Sequence, residues 1–266
     1  SPDRGAVLAA LAAIARQILS LEAAGMPCAG LVVAAAGTSH PEARDFIGEG
    51  LKQGGYRGPF TLQGDHEAAL RGAVGPEGAI LIAGTGAICY GRRADGHTAR
   101  AGGWGYLLGD EGGGYALGRE MLGAILRAED GRGQPTRLKE LVFEARGLRD
   151  SGDIIRFAYD QEQGKAGVAG LAELLPRALK MGDGAAKDIA RKAADDLFSL
   201  CEAVLARLAL QEGRLALMGG VLGNITCIRE GLKTRLAEGF PALQVLSPKH
   251  SAAWGAADLA RELYLD

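Results

Sequence analysis

The feature of this sequence that most constrains its fold is the alternation of short, continuously apolar runs with helical repeats. Residues 29–37 form such a run and end in glycine, which is typical of a strand buried on both faces. A helical repeat covers residues 6–24, and a second helix and strand are predicted over 41–54 and 59–63. This alternation favours an α/β fold with a largely parallel sheet and helices on its faces.

A Gly-Pro-Glu-Gly sequence at 75–78 predicts a boundary between two lobes. We expect residues 1–76 and 250–266 to form an N-terminal lobe, and residues 77–249 to form a C-terminal lobe. Further along the chain, the pattern predicts strands over 79–83, 88–93, 98–101, 214–218 and 244–246, and helices over 115–129, 138–145, 154–160, 167–181, 185–211, 227–236 and 251–264.

Glycines surround the adjacent carboxylates of Asp110 and Glu111 within residues 102–115. Glycine loses more conformational entropy on folding than any other residue, so a run this dense needs a compensating role. Close approach of backbone to a ligand is one such role, and an acidic pair suits a ligand rich in hydroxyl groups. The segment therefore predicts a binding site. Trp104, within it, is expected to pack under the loop as buried aromatic residues do.

Asp65 directly follows a predicted strand and precedes a predicted helix. An aspartate in that position can cap the helix by accepting hydrogen bonds from its first amides. Carboxylates at the carboxyl ends of parallel strands also face the ligand crevice of α/β sheets. Position alone leaves these two interpretations open.

Two glycine turns also follow predicted strands. Gly84-Thr85-Gly86 can expose amides and a hydroxyl to a phosphate, although taken alone it is better explained as a purely structural turn. Gly219-Gly220 repeats the arrangement, with close packing of strand and helix as the alternative. Taken with Asp65 and Asp110, these turns predict a cleft that binds a nucleotide and a polyol together. The sequence has no G-x-x-x-x-G-K-[ST] loop.

Composition narrows the class of protein further. Hydrophobic residues make up 47% and charged residues 23%, which is typical of a globular domain, and the formal net charge of -2 provides no basic field for nucleic acid. Residues 8–21 are apolar but are interrupted by Arg16 and Gln17 and lack a basic leader. We therefore expect neither a membrane anchor nor a signal peptide there.

The cysteines are dispersed, without the C-x-x-C spacing of a zinc or redox site: Cys28, Cys89, Cys201 and Cys227. This usage fits a reducing cytoplasm and predicts no protein-bound metal site.

Taken in order, the glycine and aspartate segments resemble the N-acetylglucosamine kinase branch of the BadF/BadG/BcrA/BcrD ATPase family. The resemblance rests on residues 63–65, 84–86, 102–105 with 109–112, and 219–220, and most specifically on G-G-W-G-x-x-x-G-D-E-G. That family belongs to the sugar kinase, Hsp70 and actin superfamily. The resemblance therefore implies a two-lobed, ribonuclease H-like α/β fold and an activity that uses ATP and Mg²⁺.

The resemblance further implies phosphorylation of an amino sugar, N-acetylglucosamine above all, at its 6-hydroxyl. By motif, Asp65 would be the general base, and Thr85 and Gly86 would hold the transferring phosphate. Phosphoryl transfer depends on such positioning and charge neutralisation.

The same motifs assign the remaining contacts. Gly103 and Asp110 would contact the sugar, and Gly219-Gly220 would flank the adenosine. Relatives in this family are commonly homodimers, so a homodimer is expected.

One part of the family pattern is missing from this sequence. The family opens with a β-hairpin carrying D-G-G-G-T-K-T, so we expect the N-terminal lobe to lack its first strands and a longer chain to restore activity. Two alternatives to the kinase stay open: an ATPase that activates a radical dehydratase or reductase through an iron-sulfur cluster, and a sugar-binding protein without catalysis.

Overall fold

The computed structural model describes residues 4–38, 40–160 and 164–265. The helices are α1 (Arg4–Ala23), α2 (Ala43–Gln53), α3 (Asp65–Ala73), α4 (Gly114–Glu129), α5 (Leu138–Arg146), α6 (Ser151–Tyr159), α7 (Gly164–Gly170), α8 (Leu175–Lys180), α9 (Gly184–Arg207), α10 (Gly220–Asn224), α11 (Thr226–Gly239) and α12 (Ala252–Tyr264). The strands are β1 (Leu31–Ala35), β2 (Phe60–Gly64), β3 (Gly78–Ala83), β4 (Ala87–Arg92), β5 (Thr98–Gly102), β6 (Arg214–Met218) and β7 (Gln244–Leu246). The chain forms two compact units: unit 1 holds Ser1–Gly75 with Lys249–Asp266, and unit 2 holds Pro76–Pro248.

Unit 1 is built on the parallel pair β1 and β2, in which Leu31 lies opposite Phe60 and Ala35 opposite Gly64. Helices α1 and α2 pack together through a small core of buried side chains: Leu11, Ala15, Ile47, Leu51 and Tyr56. Helix α12 packs against α3 and β1.

A close helix contact and an ion-pair cluster join α12 to α3. A Cβ atom on Gly255 would overlap the backbone oxygen of Ala68, so this contact requires glycine. Arg71 lies 2.5 Å from an Asp258 carboxylate oxygen and 2.7 Å from a Glu262 carboxylate oxygen. The two segments of unit 1, which are far apart in sequence, are therefore joined by both packing and charge.

Unit 2 contains a mixed sheet in the order β5-β4-β3-β6-β7. Strands β3, β6 and β7 run parallel, and β4 is antiparallel to both β3 and β5. Ile82 in β3 lies opposite Met218 in β6, so the carboxyl ends of these two strands are adjacent. Helix α9 packs against β3, β4 and β5 and buries Leu197, Cys201 and Leu205.

Several sequence expectations need correction. The helix predicted over 167–181 is divided into α7, a 3₁₀ turn over Leu171–Leu174, and α8. The helix predicted over 185–211 ends at Arg207, and Ala209 then takes a left-handed conformation with φ 50°. Helix α10 was not predicted, because five residues rich in glycine carry no helical repeat.

Helix α1 also departs from expectation. By length and composition it could cross a membrane, with a mean hydropathy of 1.6 over an 18-residue window, of which 17% is buried. Core helices of soluble proteins and signal sequences meet the same criterion. Arg16 and Gln17 therefore do not take this helix below the length and hydropathy of a membrane span, and the expectation that it is neither an anchor nor a signal peptide stays a prediction.

Candidate functional site

The turn Gly84-Thr85-Gly86 connects β3 to β4 and is held by the start of α4. The Gly114 amide donates to the Gly84 carbonyl at 2.7 Å, and the Tyr115 amide donates to the Thr85 carbonyl at 2.9 Å. The Gly84 amide donates to the Gly86 carbonyl at 2.9 Å. Within the described part of the chain, the Thr85 and Gly86 amides donate to no protein group. A fixed turn with two available amides is suited to binding an anion.

The Asp110 side chain lies directly against this turn. It is only 6% exposed, and its Oδ1 atom accepts a hydrogen bond from the Ala87 amide at 3.4 Å. A Cβ atom on Gly86 would lie 2.5 Å from Asp110 Cγ, so only glycine fits there. Asp110 itself has a φ of 65°, a conformation that costs energy for a residue with a side chain. The Asp110 side chain and the Gly84-Thr85-Gly86 turn are thus packed tightly against each other.

The glycines around Asp110 are explained by the same close packing. A Cβ atom on Gly113 would lie 2.6 Å from the Gly86 carbonyl carbon. Gly103 has a φ of 67°, and its amide donates to the Ala87 carbonyl at 2.8 Å. One end of the glycine-rich segment therefore contacts the turn that follows β3, and the other end bonds to the first residue of β4.

Trp104 does not pack under the loop, so that expectation was wrong. Its side chain is 63% exposed, and the guanidinium of Arg100 stacks over the ring at 4.2 Å. Gly103 and Gly105 on either side both have positive φ values, of 67° and 87°.

The diglycine after β6 meets the end of β3. Gly219 has a φ of 98°, and a Cβ atom there would overlap the backbone of Ala83, the residue before the Gly84 turn. Gly220 then begins α10. The close packing at Gly219 is therefore with the end of strand β3, not between a strand and a helix as the alternative in the sequence had it, and it brings the two glycine turns side by side.

A cavity of about 590 Å³ opens beside these turns, within unit 2. Its floor is formed by Gly84, Thr85 and Gly114. One wall comes from α7, the 3₁₀ turn and α8, and the other from α10 and the residue after it. The wall residues are Ala166, Ala169, Gly170, Ala172, Glu173, Pro176, Gly220, Val221, Asn224 and Ile225. Apart from Gly220, none of these wall residues was predicted from the sequence to belong to a site. The small residues between 166 and 172 were the one available signal.

Asp65 lies in unit 1, at the carboxyl end of β2, where it is the first residue of α3. The amide of Gly64, at the N-cap position, donates to the Glu67 carboxylate at 3.0 Å. The Asp65 carboxylate accepts from the neighbouring His66 amide at 2.9 Å, and its side chain is 61% exposed. Asp65 is therefore not the N-cap residue, and its carboxylate is accessible.

The predicted site residues thus fall into two sets. Unit 2 brings together the Gly84 turn, Gly103, Asp110 and the Gly219 turn, while Asp65 belongs to unit 1.

The cysteines offer little support for a cluster. Cys89 and Cys201 are both fully buried, and a hydrogen bond between them, together with burial, raises the pKa of the Cys89 thiol. A raised pKa disfavours the thiolate that binds metal. Among the described residues, no group of three or more histidine, cysteine, aspartate or glutamate side chains could hold a metal ion.

The fold and the site define an α/β protein whose candidate ligand groups gather at the carboxyl ends of adjacent parallel strands, the usual location of ligand sites in such sheets. The chain belongs to the BadF/BadG/BcrA/BcrD ATPase family, whose model matches residues 12–260. The family resemblance found in the sequence is therefore confirmed.

Two relatives of this chain are sugar kinases by name. The chain is 34% identical over 237 residues to an N-acetylmuramic acid/N-acetylglucosamine kinase of Clostridium acetobutylicum, covering 88% of this chain and 78% of the relative. It is 33% identical over 187 residues to an N-acetyl-D-glucosamine kinase of Dictyostelium discoideum, covering 69% of this chain and 59% of the relative. The second match thus spans less than two thirds of that relative's length.

Two crystal structures share the fold. A candidate N-acetylglucosamine kinase from Chromobacterium violaceum has a TM-score of 0.65 and 26% identity, with 92% of this chain and 81% of the other covered. A candidate N-acetylglucosamine kinase from Porphyromonas gingivalis has a TM-score of 0.72 and 22% identity, with 98% and 86% covered. The predicted α/β fold class of the sugar kinase, Hsp70 and actin superfamily is confirmed.

Proposed function

We propose that the protein transfers the γ-phosphoryl group of ATP to an amino sugar, and that N-acetylglucosamine is converted to its 6-phosphate. The observation that carries the proposal is the Gly84-Thr85-Gly86 turn. The Gly84 and Thr85 carbonyls accept hydrogen bonds from the start of α4, while the Thr85 and Gly86 amides are available to a phosphate. The names of the two relatives support the choice of sugar.

The nucleotide would occupy the cavity beside this turn. Its volume of about 590 Å³ lies within the range of about 300–1,000 Å³ that is common for small-molecule sites. In the proposed arrangement Thr85 and Gly86 hold the transferring phosphate, and Gly219-Gly220 flank the adenosine. Mg²⁺ is usually bound through substrate phosphates, water and one or two carboxylates, so we expect it to enter with ATP. When bound, it would neutralise phosphate charge.

Asp65 would accept the proton of the sugar hydroxyl. In the balanced step, the hydroxyl oxygen forms a bond to the γ-phosphorus, the bond to the ADP oxygen breaks, and the proton moves to the Asp65 carboxylate. The exposure of this carboxylate and its position at the end of β2 support the assignment. No covalent protein intermediate is needed, because positioning and charge stabilisation supply most of the catalysis in phosphoryl transfer.

Gly103 and Asp110 would contact the sugar in this scheme. The packing of Asp110 against the Gly84 turn means that a sugar held there would lie next to the transferring phosphate. Asp110→Asn is expected to raise the KM for the sugar far more than the KM for ATP. The opposite pattern would assign Asp110 to the nucleotide site alone.

The direct test is an ADP-release assay on the full-length gene product. The panel contains N-acetylglucosamine, glucosamine, N-acetylmuramic acid and glucose, each with ATP and Mg²⁺. We expect turnover with an amino sugar and little with glucose. Sugar binding without ATP turnover would instead support the non-catalytic alternative, and iron in anaerobically purified protein would support the activator of a radical enzyme.

The general base is tested with Asp65→Asn, for which we expect a loss of about 10²–10⁴-fold in kcat with unchanged sugar binding. The matched control is Asp45→Asn, since Asp45 is also an exposed aspartate in the first turn of a unit 1 helix. Near-normal turnover by Asp65→Asn would rule out its role as general base.

The compartment and assembly are also proposals. A cytoplasmic location is consistent with use of ATP and with the four free cysteines. A homodimer is expected from the family resemblance, and light scattering of the purified protein would test it.

A further inference from the structure

One wall of the nucleotide cavity carries a regular stripe of side chains. Ala166, Ala169, Glu173 and Pro176 all line the cavity, and they are spaced three, four and three residues apart. That spacing places them on one face of the nearly continuous helical segment formed by α7, the 3₁₀ turn and α8. Glu173 is the one member of this stripe that can form hydrogen bonds through its side chain.

The Glu173 carboxylate has no other evident role. Its side chain is exposed, and within the described ranges it forms no hydrogen bond or ion pair. Arg177, one helical turn further on, pairs with Glu144 at 3.7 Å instead. The other residues that line the cavity, within the described part of the chain, include no acidic side chain. Glu173 therefore brings a single negative charge to an otherwise neutral wall.

The distance between Glu173 and the Gly84 turn follows from the position of Ala169, which precedes Glu173 by four residues. A Cβ atom on Gly114 would lie 3.2 Å from the Gly84 carbonyl oxygen and 3.3 Å from that of Ala169, so Ala169 adjoins the phosphate turn. Glu173 follows four residues later, about 6 Å further along a helical segment. A nucleotide extends from phosphate through ribose to base, so a nucleotide with its phosphates at the Gly84 turn would bring its ribose towards the Glu173 carboxylate.

We propose, on the basis of the nucleotide site in the proposed function, that Glu173 binds the ribose of ATP by accepting hydrogen bonds from its 2′- and 3′-hydroxyl groups. An ionised carboxylate is an acceptor only, and its two oxygens match two neighbouring hydroxyl donors. The carboxylate would repel a phosphate, so we exclude the phosphates at the Gly84 turn as its binding partner. Hydrogen bonds to a charged acceptor are also the stronger kind.

The opposite wall is consistent with this assignment. Asn224 Nδ2 lies 3.8 Å from the position that a Cβ atom on Gly220 would occupy. The carboxamide therefore lies close to Gly220, lines the same cavity as Glu173, and within the described ranges forms no hydrogen bond to a protein group. A carboxamide can donate and accept hydrogen bonds, so its presence does not conflict with the assignment of the ribose to Glu173.

The test compares ATP with 2′-deoxy-, 3′-deoxy- and 2′,3′-dideoxy-ATP, using titration calorimetry on the full-length protein and on Glu173→Ala. The wild type is expected to bind ATP about 10- to 100-fold more tightly than the dideoxy analogue. Glu173→Ala should weaken ATP binding by a similar factor and bind all four nucleotides equally. The control is Glu202→Ala, which removes an exposed glutamate of α9 that does not line the cavity.

The outcomes separate this inference from the proposed function. If Glu173→Ala keeps the wild-type ratio between ATP and the dideoxy analogue, Glu173 does not bind the ribose, whether or not the protein is a sugar kinase. If the ratio is lost in Glu173→Ala alone but no amino sugar is phosphorylated, the ribose contact stands and the proposed function fails. Absence of any ATP binding overturns both.

Discussion

Strands β1 and β3 have similar sequences but differ in how deeply they are buried. Both are short and continuously apolar, and the sequence predicts burial on both faces for each. All residues of β3 except Ile82 are buried, whereas all five residues of β1 are only half-buried. The expectation was therefore correct for β3 and wrong for β1.

The difference follows from what lies beside each strand. Strand β3 is paired on both edges, with β4 and with β6, and α9 packs over it. Strand β1 pairs with β2, and in the described part of unit 1 its other side faces an apolar cavity of about 720 Å³ between α1 and α12. An apolar run shows that a strand needs covering, but other parts of the molecule decide how much cover it receives.

The largest effect should come from shortening a leucine in each strand. Leu81→Ala in β3 removes a fully buried side chain and should lower the free energy of unfolding by about 2–5 kcal/mol. Leu31→Ala in β1 removes a half-buried one and should cost about 1 kcal/mol. Urea denaturation of both variants measures the difference. Equal losses would show that β1 is covered in solution as fully as β3.

A second comparison concerns close helix contacts in the two units. A Cβ atom on Gly118 of α4 would overlap the Val168 carbonyl, as one on Gly255 would overlap that of Ala68. Alanine at either position should destabilise the protein by about 1–3 kcal/mol. Only Gly118→Ala should also weaken ATP binding, because α7 forms a wall of the cavity.

Gly123→Ala is the control for this pair. Gly123 is also in α4, but the nearest atoms to its Cβ position belong to the flexible end of Arg127. Alanine there should stabilise the helix by up to about 1 kcal/mol. Stabilisation by Gly118→Ala would contradict the close contact seen in the structure.

These two units also show what could be predicted from sequence. Short apolar runs followed by glycine were enough to predict β3, β6 and the glycine turns after them, because these features depend only on residues that are close in sequence. They could not show that Asp110 packs against Gly86, since that contact joins residues 24 positions apart in the chain. The glycine run was informative because glycine is required where two backbone segments approach closely. It predicts that such a contact exists but not which residues form the other side of it.

The cavity walls were harder to predict for a related reason. Ala166 and Ala169 look like ordinary helix residues, and Glu173 looks like an ordinary surface charge. Their role as a wall depends on the position of α10, which has no helical repeat of its own. The prediction for Trp104 was wrong for the opposite reason: it rested on the general tendency of tryptophan to be buried, whereas this ring is exposed and stacks against the Arg100 guanidinium.

The smallest effects should come from carboxylates with lowered pKa values, one in each unit. In unit 1, a hydrogen bond from Arg71 holds the pKa of Asp258 below its usual range. In unit 2, hydrogen bonds from Arg149 and Arg156 do the same for Asp153. A carboxylate whose pKa is lower in the folded state stabilises the protein above the unfolded value of about 3.9. That stabilisation is lost as the pH falls from about 4 towards the folded pKa.

The two carboxylates should differ in how much stability they contribute. Asp258 in α12 pairs with Arg71 in α3, which is far away in the sequence, so this contact is lost on unfolding. The partners of Asp153 lie within four residues, so part of the attraction persists in the unfolded chain. Asp258→Asn should therefore reduce the free energy of unfolding at pH 7 more than Asp153→Asn does. The expected loss for Asp258→Asn is about 1 kcal/mol or less, because the carboxylate is partly exposed to solvent. Urea denaturation at pH 7 and pH 3 should show this difference from wild type shrinking in acid. A difference that stays constant with pH would mean that shape, rather than charge, accounts for the effect of Asp258.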